Sequence, residues 1–216
     1  AIFGGAPDAP RASLYDGPLG DSFGAPSLDV EPLDAELVAS WRAELSAPPH
    51  LGRAHWWASP HWIPPERLGD RSLLDRTIAH ALRLARASMG AEFLSEAVGV
   101  EFWTQRRNPS DPLHLHWDCD EQLGRLTGLL ETPLLSCIVY LGDVGGPTLL
   151  IARSPADDVS PDAGSPPQRC WLAWPHVGQV AAFPGAMLHG VLPSSGGGVR
   201  SRETVLLNFW ARHPMK

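Results

Sequence analysis

Apolar positions follow a helical period in the first part of the chain and a strand period in the rest. Behind Asp34, which is suited to cap a helix, Leu37, Val38, Trp41 and Leu45 fall on one face, and Pro48-Pro49 stop the element near Ser46. A second helix is predicted over 72–88, with Leu74, Ile78, Ala81, Leu82 and Ala85 on the buried side and Gly90 ending it. After Gly90 the pattern becomes strand-like and is broken repeatedly by Gly, Pro and Asp. Strands are expected over 97–105, 113–118, 134–141, 148–151, 170–174, 178–183, 187–192 and 203–210. Residues 1–32 carry no sustained period and read as an extended or flexible arm. Residues 153–168, with four prolines, read as a loop too long for a hairpin.

These elements describe a mainly β chain with N-terminal helices, an α+β arrangement. Its strands would form a double-stranded β-helix, or jelly-roll, with the helices packed on one sheet. The expected organisation is an arm over 1–32 and a single domain over 33–216. Within that domain 33–90 is helical support and 91–216 the β core. Composition agrees: 22 Pro and 21 Gly in 216 residues limit helix and multiply turns.

Charge and cysteines narrow the function. With 17 Lys+Arg against 24 Asp+Glu the net charge is −7, and no basic run is present, so nucleic acid is not an expected partner. No apolar stretch is long enough to span a bilayer, and Ala1-Ile2-Phe3-Gly4-Gly5 has no basic lead into an apolar run, so neither a membrane nor an export signal is expected. Cys119, Cys137 and Cys170 form neither an even set nor a CxxC pair. They read as free thiols and favour a soluble, reducing compartment; the compartment itself stays unknown.

The densest polar cluster is Leu113-His114-Leu115-His116-Trp117-Asp118-Cys119-Asp120. Strand alternation places His114, His116, Asp118 and Asp120 on one face and Leu115, Trp117 and Cys119 on the other. An imidazole and a carboxylate two residues apart can share a metal ion. Downstream, His189 stands among apolar neighbours and completes two imidazoles and one carboxylate, a facial set that leaves positions open on the metal. His116, Asp118 and His189 are the candidate ligands, His116 being preferred to His114 because it begins HxD. Asp120 and Glu121 are expected in solvent, Cys119 turned away from the metal, and His176 in a loop. His55, His61, Trp56, Trp57 and Trp62 suit either a substrate wall or core packing. On the last strand Arg202, Thr204, Asn208 and Trp210 share a face. Arg202 is placed to hold a carboxylate by a two-pronged hydrogen bond, with Arg200 as its rival.

HxD, a distal His and an Arg on the final strand, in that order, resemble the Fe(II)/2-oxoglutarate-dependent dioxygenases. The supporting phrases are Gly99-Val100-Glu101-Phe102-Trp103-Thr104-Gln105-Arg106, Tyr140-Leu141-Gly142-Asp143 and Gly145-Gly146-Pro147-Thr148. The last two are most like the prolyl-hydroxylase-type branch. The resemblance implies Fe(II) on His116, Asp118 and His189, and 2-oxoglutarate bound through its far carboxylate by Arg202, helped by Thr204 or Tyr140. It further implies O2 as co-reactant and hydroxylation of an unactivated C–H bond as 2-oxoglutarate is decarboxylated to succinate and CO2. Halogenating relatives lack the carboxylate that Asp118 supplies. A protein or peptide side chain is the substrate class preferred. The alternatives are a small-molecule or amino-acid 2-oxoglutarate oxygenase, a cupin-like metalloenzyme that does not use 2-oxoglutarate, and a β-sandwich binding module whose histidines are structural.

Overall fold

The structure is a computed structural model that describes residues 26, 28, 31–46, 56–57, 61–63, 72–89, 95–158, 169–194 and 200–215. Most of the expected N-terminal arm, His55, and most of the proline-rich loop lie outside the described residues. Helix α1 spans Ala35–Ser46 and buries Leu37, Val38, Trp41 and Leu45, the face the sequence predicts. Asp34 caps it, Oδ1 accepting from Glu36 N at 2.7 Å. Helix α2 spans Leu73–Met89, with Ser72 Oγ accepting from Asp75 N at 3.0 Å. The Trp41 indole donates to Thr77 Oγ1 at 2.8 Å and joins the two helices.

All eight expected strands are present: β3 Gly99–Arg107, β4 Leu113–His116, β5 Leu135–Tyr140, β6 Thr148–Ile151, β7 Cys170–Ala173, β8 Val180–Pro184, β9 Leu188–Val191 and β10 Arg202–Trp210. Two short strands, β1 Trp56–Trp57 and β2 His61–Ile63, pair antiparallel with β3, in a stretch for which the sequence predicts no strand. A two- or three-residue strand is too short to show a period. One sheet runs β1-β3-β10-β5-β8, with β2 also on β3, and the other runs β4-β9-β6-β7. Every pairing is antiparallel.

Alternation along β10 divides the interior into two compartments. Val205, Leu207 and Phe209 join Val100, Cys137, Val139, Val180 and Ala182 in a core with α1 and α2. A fully buried Leu or Phe contributes about 1.5–3 kcal/mol, so this face fixes the larger sheet against the helices. The opposite parity of β10 faces the smaller sheet. There Ile138, Tyr140, Leu150, Ala173, Phe183 and Met187 form a second cluster bridging the two sheets. Because β5 and β8 are covered on both faces, they are buried at every position.

A third helix, α3 Glu121–Thr127, stands where the sequence predicts residues in solvent beyond a strand. Asp120 is its N-cap, accepting from Leu123 N at 2.9 Å, and Gly128 closes it with φ 76°. The second Asp120 oxygen accepts from Met215 N at 2.7 Å, so this carboxylate is buried rather than solvated. Asp followed by Glu and then Gly was a legible capping pattern, but seven residues give too few apolar positions for a period.

All three cysteines are free thiols, as expected. Among the described residues no helix is long and apolar enough to cross a membrane.

Candidate metal centre

Antiparallel pairing of β4 with β9 sets His116 directly opposite His189, after a register shift between Leu113 and His116. Their ring centroids lie 4.4 Å apart. Asp118, two residues beyond the end of β4, turns back between them. Its Oδ1 is 3.8 Å from His116 Nε2 and its Oδ2 is 3.7 Å from His189 Nε2. One ligand atom from each of the three lies within 4.8 Å of the others, which is compatible with a single ion.

The other ring nitrogens fix the tautomers. His116 Nδ1 donates to His114 O at 2.8 Å and His189 Nδ1 to Met187 O at 3.0 Å, which leaves both Nε2 lone pairs facing Asp118. Burial lowers the His189 pKa, opposed by the Asp118 charge, and so favours the neutral imidazole that binds metal. Ser136 Oγ donates weakly to Asp118 Oδ2 at 3.4 Å.

Close backbone contact brings the two strands together. A Cβ on Gly190 would stand 2.7 Å from Leu113 O and 3.1 Å from His114 O. Gly190→Ala is therefore expected to push β4 off β9, part His116 from His189, and lower metal affinity by about 10–100-fold, the range for disturbing groups that orient ligands. Metal content after dialysis against Mn(II) checks this, and unchanged content would remove the strand contact from the account.

The period-two reading of 113–120 fails on both sides of His116, because the ladder to β9 slips between Leu113 and His116 and β4 then ends before the turn into α3. His114 is exposed and does not line the cavity, though it had been placed on the ligand face. Cys119, expected to point away, lines the cavity. Burial, with the Glu121, Asp118 and Asp120 charges, pushes its thiol up to about 11. His176 is exposed in a turn, as expected.

The trio opens into a cavity of about 540 Å³ between the two sheets. Its wall includes Glu101, Trp103 and Gln105 from β3 and Arg202, Leu206, Asn208 and Trp210 from β10. Asn208 and Trp210 were expected on the Arg202 face. The β3 residues were missed as site residues, although their parity with Glu101 was readable.

At one end Arg202 is only 4% exposed and donates from Nη2 to Thr148 Oγ1 at 3.0 Å. Its guanidinium carbon is 5.3 Å from the Tyr140 ring centre. Among the described residues no carboxylate pairs with it, and its Nε has no hydrogen-bond partner. Burial lowers its pKa and Tyr140 opposes the shift. Gly145, at φ 103°, makes room: a Cβ there would meet Arg202 Cδ at 2.7 Å.

Thr204 is fully buried beside Arg202, its Oγ1 also without a partner. Tyr140 is fully buried, its hydroxyl paired with Thr148 Oγ1 at 2.8 Å, and it does not line the cavity. Burial raises its pKa. Arg200 lies outside the cavity, in a surface ion pair with Asp143 at 2.9 Å.

No family model matches the sequence, and no curated protein matches it. Solved structures do. A prolyl-4-hydroxylase of Pseudomonas putida is 19% identical, matching 88% of this chain and 94% of its own with a TM-score of 0.56. The chain has the same fold. The viral collagen prolyl hydroxylase of Paramecium Bursaria Chlorella virus-1, solved as a 2OG complex, is 15% identical over 88% of this chain and 96% of its own, with a TM-score of 0.50. A non-heme alpha-ketoglutarate-dependent carbocyclase of nogalamycin biosynthesis is 20% identical over 82% and 76%, with a TM-score of 0.51. The likeness is one of fold, carried by the two antiparallel sheets.

Proposed function

We propose that the chain is an Fe(II)/2-oxoglutarate-dependent oxygenase that hydroxylates an unactivated C–H bond. The observation that carries this reading is the buried Arg202, with no acid partner among the described residues, in the same cavity as the His116, Asp118 and His189 trio. Keeping a guanidinium out of water without a counter-charge is costly, and a ligand carboxylate supplies that charge. A keto diacid that reaches from the metal to Arg202 satisfies both ends of the site.

Strand order supports a jelly-roll core. Numbering β3 to β10 as one to eight, the sheets run 1-8-3-6 and 2-7-4-5, so the chain crosses repeatedly between sheets as a double-stranded β-helix does.

In this reading His116, Asp118 and His189 hold iron from one side. Arg202 grips the far carboxylate of 2-oxoglutarate, Thr204 adds a hydroxyl, and Tyr140 supports the guanidinium from beneath. Arg200 takes no part. Bound together, iron, 2-oxoglutarate and O2 supply the oxidant, and 2-oxoglutarate leaves as succinate and CO2. Trp103 and Trp117 keep water from the reacting end of the cavity. The substrate proposed is a side chain of a protein or peptide, which a cavity of about 540 Å³ can take alongside the cosubstrate. Nucleic acid and membrane are not partners in this reading.

Anaerobic titration of Fe(II)-loaded protein with 2-oxoglutarate tests the proposal. A saturable visible charge-transfer band that is lost in His189→Ala is the expected result. Iron binding without the band would mean a cupin-like metalloprotein that makes no use of 2-oxoglutarate. No metal binding would leave a sandwich with structural histidines.

A further inference from the structure

The Arg202 end of the cavity holds more unmet donors than Arg202 and Thr204 alone account for. Among the described residues four buried side-chain atoms without a hydrogen-bond partner fall in one patch: Gln105 Nε2, Arg107 Nε, Arg202 Nε and Thr204 Oγ1. The antiparallel register explains the grouping. Gln105 of β3 stands opposite Thr204 of β10, and Arg107 stands opposite Arg202. Residues facing each other across such a pair share a sheet face, and a long side chain also comes within reach of the diagonal neighbour, which for Gln105 is Arg202.

Gln105 is the member of this patch that lines the cavity and has been given no task. It is 2% exposed, and its backbone is fixed from both edges, by Thr204 on one side and by Trp57 of β1 on the other. A buried amide nitrogen left without a hydrogen bond is costly, so an orphaned Nε2 in a cavity wall points to an acceptor brought from outside the chain. Its neighbours do not supply one. Guanidinium nitrogens only donate, and Thr204 Oγ1, which could accept, stands unpartnered itself. Glu203, the acid beside Arg202 in sequence, belongs by alternation to the other face and pairs there with Arg106 at 2.7 Å. Arg107, whose Nη2 donates to Pro112 O at 2.8 Å, sets a second positive charge opposite Arg202. Like charges directly opposite repel, and an anion between the strands offsets that. A third cation would worsen the repulsion, whereas a carboxamide adds a donor without adding charge.

We infer that Gln105 Nε2 donates to the same ligand carboxylate that Arg202 and Thr204 hold, so that donors from two strands grip the far end of the cosubstrate. The inference rests on the oxygenase reading for the identity of that ligand. It adds a specificity-determining residue to the site: Gln105 favours a keto acid that carries a second carboxylate over a metal chelator that lacks one. The residue has no part in the oxidation itself.

Calorimetric titration of the Mn(II)-loaded full chain with 2-oxoglutarate and with oxalate tests this. Both ligands chelate a metal through two oxygens, but oxalate has nothing that extends to Arg202. In Gln105→Met the expected result is at least about 10-fold weaker 2-oxoglutarate binding, with oxalate affinity changed by less than about 2-fold and Mn(II) content unchanged. An equal loss for both ligands would overturn the inference, because a loosened wall or a contact at the metal end would produce it. Unchanged 2-oxoglutarate affinity would overturn it as well. Gln105→Glu serves if the Met variant does not fold: its carboxylate keeps the length, competes for Arg202 and repels the ligand, and the same selective loss is expected. The charge-transfer band of the Fe(II) protein separates the two readings. A band without selective loss in the variants removes the role of Gln105 alone. Selective loss without a band keeps the carboxylate site and removes the oxygenase reading, and failure of both ligands to bind removes both.

Discussion

Asp118→Ala is expected to abolish substrate oxidation and to lower Fe(II) affinity by at least about 100-fold, while the protein stays folded. Groups that merely orient metal ligands cost up to about 100-fold when removed, and Asp118 would be a direct, anionic ligand between two neutral imidazoles. Its carboxylate is 3.8 Å and 3.7 Å from the two Nε2 atoms, and no other carboxylate of the described residues joins that trio. The cost to the fold is small, because its contact to Ser136 is long at 3.4 Å. Thermal melts with and without Mn(II) separate the two effects. At a hundred times its dissociation constant a bound ion stabilises the wild type by about 2.7 kcal/mol, a gain the variant lacks. His114→Ala is the matched control and keeps both metal and turnover, since that side chain is exposed and outside the cavity. Full turnover by purified Asp118→Ala would refute the ligand assignment.

The same stretch marks where the sequence was legible and where it was not. Strands were readable as short runs bounded by Gly, Pro and Asp rather than from one-sided burial, since β5 and β8 are buried at every position and both faces of β10 meet the interior. The pairing of β4 with β9 is long-range, so nothing in the local pattern places His116 opposite His189. HxD and the distal histidine supplied the residue types, and the antiparallel ladder supplies their proximity. Beyond His116 the strand period was extended too far. Asp120 is a helix cap holding the C-terminal segment through Met215, a role that depends on a tertiary contact 95 residues away in sequence. Glu101 shows the opposite limit. Its parity on β3 was readable, but its place in the cavity wall shows only once β10 sets Asn208 beside it and the Trp210 indole donates to it.

Arg202 is expected to behave as a residue kept for a ligand at some cost to the fold. Arg202→Ala should raise the 2-oxoglutarate requirement by roughly 10- to 100-fold, because a hydrogen-bonded contact to a charged group is worth about 1.5–3 kcal/mol and each 1.4 kcal/mol is tenfold. Arg200→Ala should leave it unchanged, since its pair with Asp143 is exposed and outside the cavity. Stability gives the sharper test. Arg202 is buried with an unpartnered Nε and no carboxylate among the described residues, so Arg202→Met removes an uncompensated charge and keeps most of the volume. Replacing a buried charge by an apolar side chain of similar size is often neutral or stabilising. Without ligand the Met variant is therefore expected to melt at or above the wild type, despite losing the 3.0 Å bond to Thr148. With Mn(II) and saturating 2-oxoglutarate the order reverses, because only the wild type gains the paired carboxylate. A purely structural arginine predicts the contrary, a lower melting temperature under both conditions and no change in the order. That result, or a rise in the 2-oxoglutarate requirement from Arg200→Ala instead, would place the cosubstrate elsewhere in the cavity.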